Sequence, residues 1–401
     1  MDDPVEGGPG RKGPGGTTGI STLRSLWRPL TCLLVIMAVL APTAVLAVDS
    51  DGDGLRDAFE RKHGVTSPKR QDSDGDGVVD PAEDSDGDRL SDLAEQRFGT
   101  DPANPDSDGD GRRDGWEDHD GDGLSNAMEQ DRRPVPADLT PSLRLAPKDF
   151  GGVASDCFSE LGSTALVLCR FGPAGKGGRV VLMGDSHAGV LVDPFQRVAK
   201  ADGWRLTTML KGGCIPVPGM IARGQYEVDR GRSCTEWRRK AIAALNENPP
   251  HVLVITASQN YKLTHATGRG IAPFRYPGLW QAGVERLIRQ LPERTKVLVL
   301  GDVPRNATQP VDCLRQHPTD MSQCQARSVP PAKRAVEVAQ RAAVREQGQY
   351  FDTLHDKICS YDPCPLVQGN VLIWRDKSHL TGTFARRLTP AVRELLRPFL
   401  D

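Results

Sequence analysis

A twelve-residue acidic frame recurs five times between residues 49 and 129, and little hydrophobic core can be built from it. Each frame places an acidic or amide oxygen at positions 1, 3, 5 and 9 and a glutamate at position 12. The first three are Asp49, Asp51, Asp53, Asp57 and Glu60; Asp72, Asp74, Asp76, Asp80 and Glu83; and Asp84, Asp86, Asp88, Asp92 and Glu95. The last two are Asp106, Asp108, Asp110, Asp114 and Glu117; and Asp118, Asp120, Asp122, Asn126 and Glu129. Alternate carboxylates on a tightly turning loop converge on one hard cation, and a glutamate at position 12 can close the shell with both oxygens, which is calcium-loop geometry. Glycine at position 6 permits the sharp turn in four frames; the third has Arg89 there and is expected to hold a cation less well. Residues 49–130 contain 25 acidic side chains against 9 basic ones. Carboxylates crowded in that way repel one another, and the apolar residues between them are too few to compensate. The segment is therefore predicted to be an irregular stalk, ordered by structural Ca2+ and flexible without it.

Paired EF-hands need a helix on each side of every loop, but here two pairs of frames abut directly, at Glu83–Asp84 and Glu117–Asp118. This arrangement, with the connecting Phe98-Gly99-Thr100-Asp101-Pro102-Ala103-Asn104-Pro105, resembles thrombospondin type 3 repeats and their bacterial relatives. The resemblance implies a chain wrapped around several calcium ions with little apolar core.

Residues 1–48 read as an export segment. Arg11, Lys12, Arg24 and Arg28 precede an apolar stretch from Leu30 to Leu40, and Val45-Leu46-Ala47 offers small residues in the spacing a signal peptidase accepts. Cleavage after Ala47 is the first reading. An uncleaved anchor is the other, because Leu30 to Val48 approaches the roughly 20 residues that span a bilayer. On either reading the rest of the chain is extracytoplasmic, secreted or tethered at the surface, and meets the membrane only through this segment if uncleaved. Setting aside Cys32, eight cysteines remain in four local pairs: Cys157 and Cys169, Cys214 and Cys234, Cys313 and Cys324, Cys359 and Cys364. An even number in an exported chain predicts disulfides, with nearest-neighbour bridging the simplest pattern. No basic run interleaved with aromatics is present, so a nucleic-acid partner is not expected.

After Pro134, Pro136 and Pro141, a linker over 131–150 gives way to alternating strand and helix signals in 151–401. Strands are predicted at 179–183, 205–210, 251–257, 296–301 and 370–374. Helices are predicted at 190–201, 233–247, 278–291 and 331–346, with a last one from Thr383 to Leu400. This is the β-α alternation of a doubly wound, flavodoxin-like parallel sheet. The first strand, Val180-Val181-Leu182-Met183, runs into Gly184-Asp185-Ser186-His187, where the carboxyl ends of the strands place ligand sites. A serine hydroxyl becomes a nucleophile when an imidazole held by a carboxylate takes its proton. Asp376-Lys377-Ser378-His379 can supply both groups. Asp185 is expected to brace the turn, His187 to be structural and Trp374 to be core.

The order Gly184-Asp185-Ser186-His187, Lys211-Gly212-Gly213-Cys214, Cys234-x-x-Trp237 and Trp374-Arg375-Asp376-Lys377-Ser378-His379-Leu380-Thr381 resembles the SGNH hydrolase superfamily. Within it, the likeness is to the extracytoplasmic SGNH domain fused to bacterial membrane O-acyltransferases. That resemblance implies Ser186 as nucleophile, His379 as base and later acid, and Asp376 as its orienting carboxylate. It also implies an oxyanion hole from the Ser186 N–H, from Gly213 or Gly212, and from an asparagine side chain, for which Asn260 is the candidate although Ala257-Ser258-Gln259-Asn260 lacks the usual Gly-x-Asn-Asp context. The activity implied is that of a serine esterase or O-acyltransferase on O-acyl groups, chiefly acetyl, of cell-envelope carbohydrate, with no cofactor for catalysis. Transfer would draw its acyl group from a membrane partner, whereas hydrolysis needs only water and is slightly favoured. The alternative is a calcium-dependent surface adhesion protein with an inactive SGNH scaffold.

Overall fold

Strands of consecutive apolar residues build the centre of the molecule. The structure is a computed structural model and describes residues 48–399 apart from 152–154, 174–176, 223–226, 266–268, 307 and 326–330. The export segment, including Cys32, lies outside the described residues, and among these no helix is long and apolar enough to cross a membrane. Seven strands form the main sheet: β1 (Phe158–Ser159), β2 (Cys169–Phe171), β3 (Arg179–Gly184), β4 (Arg205–Lys211), β5 (Val252–Thr256), β6 (Lys296–Leu300) and β7 (Tyr350–Asp352). Their order is β1-β4-β3-β5-β6-β7, all parallel, with β2 antiparallel against β4.

Successive side chains of a strand point to opposite faces, and here both faces are apolar. Val180, Leu182, Leu206, Leu210, Val252, Val254, Leu298 and Leu300 belong to one core cluster. Val181, Met183, Met209, Leu253, Ile255, Val297 and Val299 belong to the other. Helices α1 (Ser186–Val190), α2 (Val192–Ala201), α6 (Gly382–Arg387) and α7 (Thr389–Leu396) contribute to the first cluster; α3 (Glu227–Glu247), α4 (Tyr276–Ile288) and α5 (Pro331–Glu346) contribute to the second. Helices on both faces of a parallel sheet make the fold α/β and doubly wound. The chain leaves β3 for β4 on one side and returns to β5 on the other, so the carboxyl end of β3 is the switch point.

Four predicted strands and four helices fall within a few residues of their observed bounds; two expectations are corrected. The strand predicted at 370–374 is not in the main sheet: Val371–Leu372 forms a small antiparallel pair with Val367–Gln368. The edge position belongs to Tyr350–Asp352, which pairs with β6 and presents one half-buried residue between two exposed ones, a pattern with no apolar signal. The helix predicted from Thr383 to Leu400 is broken at Leu388, after which a new helix with Pro390 in its first turn runs from Thr389 to Leu396. All four nearest-neighbour disulfides are formed.

In the acidic segment every frame closes in the same way. The position-9 backbone N–H donates to the carbonyl preceding position 1, as in Asp80 to Gln71 at 2.9 Å and Asp92 to Glu83 at 2.8 Å. A short helical turn then starts at position 9, as in Asp57–His63, Asp92–Phe98 and Asn126–Glu129. In the first three frames position 7 supplies what core there is: Leu55 and Leu90 are fully buried, and Val78 packs with Ala82 and Tyr361. Through that contact and an Asp76–Lys357 ion pair the segment lies against the α/β domain, and a 3.0 Å bond from the Tyr361 hydroxyl to Asp131 holds the residue that follows it. Residues 131–150 also dock on it, with Leu139 and Ala146 in the core.

Gly184 shows how tightly β3 is set between its neighbours. A Cβ there would come within 1.9 Å of the Thr256 carbonyl oxygen and 2.6 Å of the Ala188 Cβ. Gly184→Ala is expected to destabilise the domain by about 1–3 kcal/mol as an overpacked site, measured as a lowered midpoint in thermal denaturation. An unchanged midpoint would show that the strands yield.

Candidate active site and acidic loops

Ser186 opens α1 at the end of β3, and the residue before it fixes the turn. The Asp185 carboxylate accepts the His187 N–H at 2.8 Å, the Ser258 N–H at 3.0 Å and the Tyr261 hydroxyl at 2.6 Å. It caps the helix and ties the β3 turn to the loop after β5. From the far end of the chain, the loop ahead of α6 delivers His379, whose Nε2 lies 2.9 Å from Ser186 Oγ. His379 Nδ1 lies 2.9 Å from both Asp376 carboxylate oxygens. With Nδ1–H facing the carboxylate, Nε2 is the acceptor for the serine O–H.

Asp376 is held by its own loop. It accepts the backbone N–H groups of Ser378 and His379, each at 2.9 Å, and the Arg375 guanidinium stands 3.4 Å away. Burial alone would raise this carboxyl, but the His379 and Ser378 hydrogen bonds and the imidazole charge outweigh it and hold the group far below the usual carboxylate range. It is therefore an anion throughout the neutral range.

The expected oxyanion donors come from the strands on either side of β3. Gly213, in the turn after β4, has φ 66, a left-handed conformation that favours glycine. Asn260 follows β5, and its buried side-chain Nδ2 has no hydrogen-bond partner. A buried amide left without an acceptor is costly, and an oxyanion is an acceptor of the kind it lacks. No backbone N–H of Asn260 is needed for this, since that group donates to Ser258 Oγ at 3.3 Å.

Sequence reasoning missed a second imidazole–carboxylate pair beside the first. His187 Nδ1 lies 2.5 Å from Asp302, which also accepts the Gln259 N–H at 2.9 Å, and the His187 ring meets the His379 ring edge-on at 4.8 Å. His187 is buried, as a structural residue should be, but it does not point away from the site. A signal was present: Gly301-Asp302 ends β6 as Gly184-Asp185 ends β3.

In the acidic loops, carboxylates gather within 4.8 Å of one another as Asp49, Asp51 and Asp53; Asp72, Asp74 and Asp76; Asp84, Asp86 and Asp88; and Asp118, Asp120, Asp122 and Glu129. Asp80 joins Asp53 and Glu60, so position 9 of the second frame reaches into the first. Position 9 has another task too: its side chain accepts both the N–H and the hydroxyl of the serine at position 2, as in Ser50 to Asp57 and Ser73 to Asp80. Both oxygens of Glu60 and one each of Asp51, Asp53, Asp86 and Glu95 are buried with no donor. Burial and neighbouring carboxylates push Glu60 up to about 7, Glu83 to about 8 and Glu95 to about 10. Orphaned carboxylate oxygens in converging sets fit a hard, oxygen-seeking cation.

A doubly wound sheet with a serine at its switch point, hydrogen-bonded to an Asp-supported histidine near the carboxyl terminus, defines the SGNH class. Residues 156–394 match the family model of the SGNH domain that is fused to AT3 domains, and the chain belongs to that family. Residues 49–64 and 84–105 match the bacterial TSP3 repeat. No curated protein matches the chain. Among solved structures it is similar to the periplasmic domain of a lipopolysaccharide acetyltransferase of Salmonella ser. Paratyphi A, at 14% identity over 64% of this chain and 98% of that one, with a TM-score of 0.46. It is also similar to a carbohydrate acetylesterase of Sinorhizobium meliloti (13% identity, 55% of this chain and 99% of that one, TM-score 0.34). An aryl esterase of M. smegmatis is a further likeness (16% identity, 56% and 100%, TM-score 0.34).

Proposed function

We propose that this protein is an extracytoplasmic serine esterase or O-acyltransferase acting on O-acyl groups, acetyl first among them, of cell-envelope glycans. The observation that carries this is the unbroken hydrogen-bonded chain from Ser186 Oγ through the His379 ring to Asp376. Ser186 Oγ attacks the ester carbonyl carbon while His379 Nε2 takes the hydroxyl proton. The oxyanion is met by the Ser186 and Gly213 N–H groups and the Asn260 side chain. The alcohol departs with the proton held by His379, leaving the acyl group on Ser186. Water, or a glycan hydroxyl, gives its proton to His379 and attacks the acyl carbon; the bond to Ser186 Oγ then breaks, His379 returns the proton to Oγ, and the acid or the new ester leaves a restored enzyme. Hydrolysis is the simpler course, because transfer needs an acyl donor supplied from the membrane. The four disulfides support a location outside the cytoplasm. The acidic loops would hold Ca2+ as a structural ion, and no cofactor is assigned to the chemistry.

Full-length protein in calcium should release acetate from nitrophenyl acetate and from an acetylated glycan, and Ser186→Ala should not. Equal turnover by both proteins would refute the enzyme and leave the adhesion scaffold. Asn260→Ala tests the third oxyanion arm. It is expected to lower kcat by roughly 10²–10³-fold with little change in KM, and an unchanged kcat would remove Asn260 from the site.

A further inference from the structure

Where the third acidic loop meets the α/β domain there is a cavity of about 430 Å³ that the ester chemistry does not use. Its size lies within the roughly 300–1,000 Å³ of small-molecule sites. Asn306 lines it, is only 2% exposed, and has neither a donor for its side-chain oxygen nor an acceptor for its nitrogen. Such a pair of unmet groups implies a ligand that both donates and accepts. The cavity borders the catalytic loop: the Asn306 N–H donates to the Lys377 carbonyl at 2.8 Å, and Trp374 forms part of the wall.

Charge narrows the class of ligand. Arg89, Arg305 and Arg334 line the cavity. They face Asp84, Glu337, Asp356 and Asp362. An anionic ligand would meet the carboxylates and a cationic one the guanidiniums, whereas vicinal hydroxyls can accept from the guanidiniums and donate to the carboxylates. Arg89 is the telling member. It replaces the glycine that the other four frames have at position 6, and it is the one non-glycine with positive φ among the described residues, at 87°. Its backbone does what glycine does elsewhere, donating to Asp84 at 3.0 Å as Gly54 donates to Asp49. A side chain kept at a left-handed position is a strain that points to function. Its ion pair with Asp362, at 3.7 Å with both groups about half exposed, and its place over the half-exposed Trp116 ring, 5.8 Å from the centroid, are too solvated to explain it.

We propose that this cavity is a subsite for a neutral glycan, built jointly by the third acidic loop and the α/β domain, so that loop order governs binding of the polymeric substrate. The inference rests on the esterase reading for its purpose but not for its test. Full-length Ser186→Ala in millimolar calcium is titrated calorimetrically with cellohexaose, xylohexaose and chitohexaose, and with an oligogalacturonate as the anionic arm. At least one neutral hexamer should bind, at least tenfold more tightly than the oligogalacturonate. Arg89→Gly, which restores the residue that the loop prefers, and Asn306→Leu, which keeps volume, should each weaken that binding at least tenfold while melting in calcium at no lower temperature. Chelation should weaken it as well. Absence of binding by every neutral hexamer, a preference for the anion, or equal affinity in Arg89→Gly would overturn the subsite. Failure of the wild type to cleave esters would sink the enzyme reading and leave this result standing.

Discussion

Ser186→Ala is expected to lower ester turnover by roughly 10⁴-fold or more, leaving only what the oxyanion donors and substrate binding achieve without a nucleophile. His379→Ala should fall nearly as far, because the serine then has no base at 2.9 Å. Asp376→Asn is the more instructive change. Its oxygen can still accept the Ser378 and His379 backbone N–H groups, so the loop should keep its shape. Its amide, however, would face His379 Nδ1 with a donor. The ring would then carry its proton on Nε2, where it must accept from Ser186, and the base would be lost without a change in geometry. The three variants should share one defect in kcat and should not add when combined. Additive losses, or an Asp376→Asn enzyme near wild-type turnover, would show that the three groups do not act as a unit.

Removal of calcium is the second large effect, and its pH dependence has a defined sign. In the ion-free protein, burial together with nearby carboxylates raises Glu83 and Asp92 to about 8 and Glu95 to about 10. The unfolded chain would release these protons near pH 4. Any folded population of the ion-free segment therefore binds more protons than the unfolded one, and that population shrinks toward the flexible chain as pH rises. This contribution is full below about pH 4 and is lost as pH climbs through 8 and above. Calcium replaces the protons, so its binding strengthens with pH and releases them. Circular dichroism melts of desalted, EGTA-treated protein should show a midpoint that drops between pH 5 and pH 9, and added calcium should raise it most at the alkaline end. A chelated midpoint that rises with pH, or no response to calcium, would contradict the ion-ordered segment.

What the sequence makes legible follows from how each signal arises. Val180 to Met183, Val252 to Ile255 and Val297 to Leu300 are stretches of strand buried on both faces and so read as continuous apolar runs. Tyr350–Asp352 is an edge strand of three residues with no such run, and only its pairing with β6 reveals it. Ser186, Asp376 and His379 stand in recognisable local contexts, although hydrogen bonds between residues 193 positions apart belong to the fold alone. The His187–Asp302 pair escapes because Gly301-Asp302 marks a strand end like that of Gly184-Asp185 but does not say which residue, 115 positions away, it will meet. Arg89 looked like a weakened calcium loop. In the fold it keeps the glycine-like backbone bond and turns its side chain toward the α/β domain.

Whether Ser186 is an activated nucleophile can be read without knowing its substrate. Full-length protein is treated with a fluorophosphonate, and the site and rate of modification are followed by mass spectrometry. A single adduct on Ser186, absent from Ser186→Ala and formed far more slowly by His379→Ala, is the expected result. No adduct on Ser186, or one formed at the same rate without His379, would contradict it.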